Sequence, residues 1–188
     1  GETIEVTNPA TGATLGTVPR CGRAETARAI ETAYLAFQDW KATTAEERGT
    51  LMHALCDAIM ENQDALAEIL TTEMGKPLAE AKGEIALGVK YVRFFAEQAK
   101  RIDGDIIPSP WRGKRILVTK EPVGVTGAIT PWNFPHSMIS RKLGAALASG
   151  CTAVAKPASQ TPYSGLAWGV LCEEVGFPKG VVNIVTGA

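Results

Sequence analysis

Two short stretches hold residue types that could do chemistry. The first, Ile129-Thr-Pro-Trp-Asn-Phe-Pro135, sets two prolines and two aromatics around one strong polar group, Asn133. The prolines restrict the backbone, so the stretch reads as a rigid turn, and an amide held rigidly beside a helix N-terminus can donate to an oxyanion. The competing reading, which spacing alone favours, makes Asn133 a turn former or a helix cap. The second stretch, Lys156-Pro-Ala-Ser159, offers a cation and a hydroxyl suited to the ribose and phosphates of a dinucleotide. Its competing reading is a surface lysine followed by a turn, with Ser159 helping to cap the next helix.

Other chemistries have little footing. No G-x-G-x-x-G, P-loop or G-x-S-x-G occurs, and Gly124-Val-Thr-Gly127 lies inside a strand pattern rather than opening a helix. The four cysteines, 21, 56, 151 and 172, form no close pair, and neither His53 nor His136 stands at metal-ligand spacing from one. This predicts no zinc and no structural disulfide, hence a reducing compartment: the cytoplasm, with a mitochondrial matrix as the alternative. Nineteen Lys plus Arg against twenty Asp plus Glu give a net charge of −1, which offers no footprint for nucleic acid or an anionic membrane. No apolar run approaches the ~20 residues that span a bilayer. The opening GETIEVTNPATG has neither the basic start nor the apolar core of a secretory signal, and without an initiator Met the natural start is expected upstream.

The elements that must position the two stretches follow from periodicity. With 188 residues, 45% of them hydrophobic, a packed core is expected. Residues 1–20 read as a hairpin in which Ile4, Val6, Leu15 and Val18 flank the turn formers Asn8-Pro-Ala-Thr-Gly12. A helix is predicted from about Ala24, with Ala27, Ile30, Tyr34 and Phe37 on one face. Thr44 and Glu47 form a capping box for the next helix, whose stripe runs through Leu51, Leu55, Ile59, Leu66, Ile69 and Leu70. Gly75 and Pro77 stop it, and a third helix carries Ala81, Ile85, Val92 and Phe95. Residues 108–113 are a loop, 115–121 a strand with one wet face, and 123–130 an apolar strand of the buried kind. Then a helix (136–148), a strand (152–155), a helix (162–175, capped by Thr161 and ended by Gly176) and a strand (181–185) alternate. That order specifies an α/β fold with a parallel sheet, whose ligands sit at the carboxyl ends of the strands, just after Thr130 and Ala155. Three such strands leave an edge and an apolar face uncovered, so the fold is expected to be incomplete.

Taken together and in this order, the segments PVGVTGAITPWNFP, KLGAALASGCTAVAKPASQTP and GFPKGVVNIVTG resemble the aldehyde dehydrogenase superfamily, and the likeness runs over essentially the whole chain. The resemblance implies a Rossmann-like variant, which accounts for the missing glycine fingerprint. It implies that Asn133 stabilises the thiohemiacetal oxyanion formed when a cysteine attacks the aldehyde. Trp132 and Asn133 would line the nicotinamide end, with Thr130 and Pro131 beside them, and Lys156, Pro157, Ala158 and Ser159 would hold the adenosine ribose. It further implies three parts: hairpin and helices (1–103), a loop and strand belonging to an oligomerisation arm (104–122), and the first βαβαβ of the NAD(P)-binding sheet (123–188). The nucleophilic cysteine, the general-base glutamate, a phosphate-binding turn and the catalytic domain are expected downstream, so the 188-residue polypeptide alone is expected to be inactive and aggregation-prone. Cys151 matches a position that is not catalytic in the family.

GDIIPS (104–109) and Met138-Ile-Ser-Arg-Lys142 resemble the succinate-semialdehyde branch, in which the arginine matching Arg141 binds the distal carboxylate. Arg141 would sit roughly 8 Å along its helix from His136, and a planar guanidinium can grip a carboxylate bidentately. The alternative is a solvated Arg-Lys pair. Ser159 stands where members preferring NAD often carry a glutamate that would repel a 2′-phosphate, so NADP is the expected cofactor and NAD the alternative. The function so implied is oxidation of succinate semialdehyde to succinate by a homo-oligomer, dimer or tetramer. Rivals are an enzyme for another aldehyde, such as glutarate semialdehyde or an aminoaldehyde, a non-catalytic binding or assembly module, and a generic nucleotide binder.

Overall fold

The computed structural model describes residues 1–187, so the last residue of the expected 123–188 unit lies outside the described residues. The N-terminal hairpin pairs β1 (Thr3–Thr7) with β2 (Thr14–Pro19) antiparallel, with Ile4 opposite Val18. Its turn closes on Asn8, whose side-chain oxygen accepts from the Ala10 N–H at 2.9 Å. Four helices follow: α1 (Arg23–Trp40), α2 (Ala45–Glu61), α3 (Gln63–Met74) and α4 (Leu78–Ala99). The capping box opens α2, with the Glu47 N–H on Thr44 Oγ1 and the Thr44 N–H on the Glu47 carboxylate.

The stripe from Leu51 to Leu70 belongs to two helices rather than one. Asn62 ends α2 and starts α3, and its side-chain amide donates to the Ala58 carbonyl at 2.9 Å. Such local side-chain bonding competes with the helical ladder, and apolar spacing alone cannot register it.

A parallel sheet occupies the C-terminal part, in the order β5-β6-β7: β5 (Val125–Ile129), β6 (Thr152–Lys156) and β7 (Val182–Ile184). Helices α5 (Pro135–Ala148) and α6 (Pro162–Glu174) make the crossovers. The central strand β6 is buried from Thr152 to Ala155, and its alternation divides the core. Val154 joins Ala33 of α1 and Val185, while Ala153 and Ala155 join the large cluster built with α2, α4 and α5. Helix α1 meets the sheet through alanines rather than through the expected stripe. Ala33 is fully buried and its carbonyl accepts from Thr152 Oγ1 at 2.9 Å, whereas Ile30 and Tyr34 are exposed. Small residues let the helix backbone approach the strand, and that requirement outranks the size of the side chains.

Two further expectations change. The 115–121 strand is only β4 (Ile116–Val118), and it pairs antiparallel with β3 (Asp105–Ile107) in a separate two-stranded arm. The 123–130 strand is not the buried kind: of Val125–Ile129 only Ala128 is buried, because among the described residues β5 has a single neighbour, β6. Among the described residues no helix is long and apolar enough to cross a membrane.

Candidate cofactor and substrate site

The parallel register sets the two polar stretches side by side. Ile129 pairs with Lys156 and Ala155 with Ile184, and the Thr130 N–H donates to the Lys156 carbonyl at 3.1 Å. Both stretches therefore leave the sheet at adjacent carboxyl ends, where an open α/β sheet presents its ligand crevice. Thr130 is buried and its hydroxyl has no hydrogen-bond partner among the described residues, while Pro131, Trp132 and Asn133 are exposed in the loop that follows. A cavity of about 220 Å³ lined by Trp132, Gln160, Thr161, Pro9, Glu73 and Met74 joins this loop to the one after β6.

Helix α5 starts at Pro135 with Phe134 at the cap position, and no side chain of that residue caps it, so Asn133 is not the cap. Glu84 of α4 does that work across the helix interface. Its Oε1 accepts from the His136 and Ser137 N–H groups at 3.0 and 3.1 Å, and its Oε2 lies 2.5 Å from Lys76 Nζ. Lys76 also donates to the Asn133 carbonyl at 3.1 Å and lies 3.8 Å from the centre of the Phe134 ring. Helix α6 repeats the device with one carboxylate. Glu73 of α3 accepts from the Tyr163 and Ser164 N–H groups at 2.8 and 2.9 Å, while neither Thr161 nor Ser159 caps the helix. Burial raises the Glu73 pKa against the lowering influence of its hydrogen bonds from Ser164 and Tyr163.

These carboxylates constrain any bound dinucleotide. A free helix N-terminus is a ready anion site, but carboxyl oxygens of Glu84 and Glu73 already take the first-turn N–H groups of α5 and α6, so neither end is open to a pyrophosphate. What remains suits a ribose. Lys156 Nζ reaches the Gly187 and Pro157 carbonyls at 3.1 and 3.3 Å, with no carboxylate paired to it among the described residues. Pro157 is buried, Ala158 and Ser159 are half-buried, and Ser159 Oγ donates to Gln160 Oε1 at 3.5 Å.

On α5 the Arg141-Lys142 pair divides: Lys142 is exposed, whereas Arg141 is half-buried with its guanidinium carbon 4.6 Å from the centre of the Tyr91 ring. The Arg141 Nε is buried without a hydrogen-bond partner, and no carboxylate bridges to Arg141 among the described residues. A cation so placed can accept an anion without first giving one up. A further groove of about 290 Å³ lies along β5 and α1, lined by Thr26, Ile30, Ile129, Val154, Lys156 and Val185 among others. Its walls are nearly all apolar and include neither Asn133 nor Ser159, so it reflects the uncovered face beside β5.

All four cysteines are free. Cys56, Cys151 and Cys172 are buried, and burial pushes the Cys56 thiol up to about 11 and raises that of Cys172 as well. Such thiols are poor nucleophiles. No cluster of three metal-ligating side chains exists among the described residues.

Sequence reasoning missed Glu73, Lys76, Glu84 and Tyr91. One signal was present: Glu84 stands with Ala81, Ile85 and Gly88 on the spacing of a core face, where a carboxylate needs a buried partner. Its partner's identity depends on tertiary packing.

Comparison with known proteins bears on this arrangement. A model of the aldehyde dehydrogenase family matches residues 1–188. The chain is 58% identical to a glutarate-semialdehyde dehydrogenase of Pseudomonas putida and 55% identical to an NADP(+) succinate-semialdehyde dehydrogenase of Escherichia coli. In both cases 100% of this chain aligns with 39% of the relative. A crystal structure of a succinate-semialdehyde dehydrogenase from Burkholderia pseudomallei superposes with a TM-score of 0.98 at 56% identity, again over 100% of this chain and 39% of that one.

Proposed function

Because the chain belongs to the aldehyde dehydrogenase family, we propose that the protein carrying it oxidises an aldehyde with a distal carboxylate, succinate semialdehyde, to the dicarboxylate with NADP, NAD being the alternative. One observation carries the substrate reading: Arg141 is a half-buried cation stacked on Tyr91 with an unpartnered Nε, on the helix that the Asn133 loop opens. Arg141 stands six positions beyond Pro135, the first residue of α5, roughly 9 Å of rise. The guanidinium can thus hold a carboxylate while the aldehyde carbon lies toward the loop.

In this reading the Asn133 amide donates to the carbonyl oxygen as a thiolate adds to the aldehyde carbon and the C=O electron pair moves onto oxygen. The bound cofactor supplies the hydride acceptor. Lys156 and Ser159 position the adenosine ribose, Ser159 by donating to a 2′-phosphate, and Thr130, Pro131 and Trp132 border the nicotinamide end, with Pro157 and Ala158 shaping the turn between. Cys56 and Cys172, whose thiols burial holds protonated, do not supply the thiolate. The 104–122 arm, with Ile106 71% and Leu117 68% exposed, is read as an oligomer contact. The same reading puts the protein in a reducing compartment, the cytoplasm before the mitochondrial matrix, because its four cysteines include no close pair in the sequence.

The test uses the full-length enzyme. Arg141→Ala should lower kcat/KM for succinate semialdehyde by about 10- to 100-fold, the worth of a charged hydrogen bond, while an uncharged aldehyde of similar length is little affected. Equal losses on both substrates would remove Arg141 from the substrate site. A glutarate reading is favoured by the Pseudomonas putida relative, so the five-carbon semialdehyde belongs in the same assay.

A further inference from the structure

We propose that Lys76 and Glu84 are positioning residues for the Asn133 amide: the buried pair sets the peptide that carries the oxyanion donor, and so acts on the chemical step through it. The proposal rests on Asn133 being that donor.

The argument starts from cost. Lys76 is 8% and Glu84 3% exposed, and a buried ion pair of this kind adds little stability over well-packed apolar residues. Its retention calls for another reason. Each polar group in it has an acceptor or donor, and the assignments have a direction. One Glu84 oxygen takes the two N–H groups that open α5, and the other takes Lys76. The remaining reach of Lys76 goes to the Asn133 carbonyl and the Phe134 ring. The peptide plane joining Asn133 to Phe134 is therefore held from below, while the Thr130 N–H on the Lys156 carbonyl holds the other end of the loop. What is left to Asn133 is rotation of its own side chain.

Helix α6 serves as an internal control. Glu73 caps it through the same two backbone groups, yet among the described residues no lysine pairs with Glu73, and the loop before α6 contains no amide read as an oxyanion donor. Capping alone is thus accomplished by a carboxylate. The lysine appears only where the loop carries Asn133. Delivery of Lys76 is itself built in: α3 ends on Gly75 at φ +82°, a left-handed turn that favours glycine and brings the next residue under the loop.

The test is a double-mutant cycle in the full-length enzyme, read as the single-turnover rate of reduced-cofactor formation at saturating succinate semialdehyde. Lys76→Met should slow that rate by about 10- to 100-fold, a share of what loss of an oxyanion donor costs, with KM for the aldehyde within about twofold. In the Asn133→Ala background the same replacement should cost nothing further. Additive losses, or a wild-type rate for Lys76→Met beside a slow Asn133→Ala, overturn the proposal. A wild-type rate for Asn133→Ala overturns the donor reading as well, and that single variant tells the two failures apart. Should Lys76→Met not fold, Glu84→Gln replaces it in the same cycle, because an amide oxygen still accepts from the α5 N–H groups while the charge that holds Lys76 is gone.

Discussion

Ser159 follows Lys156 by three residues beyond the end of β6, half-buried, and among the described residues its hydroxyl is engaged only by the neighbouring Gln160 side chain. A hydroxyl there can donate to a 2′-phosphate, whereas a carboxylate would face it as a like charge, worth on the order of 1–4 kcal/mol at 4 Å between bulk-water and protein-surface dielectric. In the full-length enzyme, Ser159→Glu should therefore cut kcat/KM for NADP by at least about tenfold while NAD is retained or improved. If the NADP/NAD ratio stays put, Ser159 does not read the ribose. Asn133, Lys156 and Ser159 are candidates from the sequence because each stands in a short segment directly after a strand, whereas Arg141 is a candidate through the resemblance of its segment. Lys76 is 57 residues from the carbonyl it holds and Glu84 is 52 from the N–H it caps. No local pattern encodes those distances; only the packing of α4 on α5 does.

That packing of α4 on α5 has a titration of its own. Gly88 of α4 leaves room for the His136 ring, since a Cβ there would lie 2.6 Å from the ring nitrogen, and the imidazole is fully buried. Burial alone lowers its pKa from 6.5 to about 4. A base depressed in the folded state contributes stability that is fully present above its unfolded pKa and lost as pH falls through the folded one. The difference corresponds to about 3 kcal/mol lost between roughly pH 6.5 and 4. Urea unfolding of the full-length protein across that window should show the loss, and His136→Gln should flatten it; an unchanged slope in the variant would assign the acid sensitivity to carboxylates instead. The element boundaries were largely legible, because caps, prolines and periodicity are local. Three features were not: the break at Asn62, the alanine face of α1 and the cap of α6 by Glu73. The first turns on a side-chain bond from Asn62 to the Ala58 carbonyl that apolar spacing does not register, the second on how closely two backbones must approach, and the third on a partner far along the chain.

At the scale of the whole molecule, surface area is the informative quantity. The chain exposes 10217 Å² at 19.9 kDa, whereas a compact monomer of that mass exposes about 8,700 Å². The excess of about 1,500 Å² is roughly twice the ~800 Å² that one partner contributes to a standard interface between proteins. Much of it can be traced: the free edge of β5 with Ile129 73% exposed, Val123 90% exposed beside it, and the arm carrying Ile106, Trp111 and Leu117. A strand edge and an apolar patch of that size are aggregation hazards unless something covers them. For β5 the natural cover is another strand, since its unpaired backbone groups ask for one. The arm is different, because β3 and β4 already pair with each other, and their apolar side chains stand clear of the body on a two-stranded ribbon too small to be stable by itself. Side chains arranged this way suit a second copy of the chain. Replacing Ile106 and Leu117 with Asp in the full-length protein should lower the assembly mass measured by sedimentation. Retention of the wild-type mass would mean that the arm packs within its own subunit. A lowered mass with the folded spectrum intact would place the ribbon between subunits, because a ribbon buried at home could not accept two carboxylates without loss of fold.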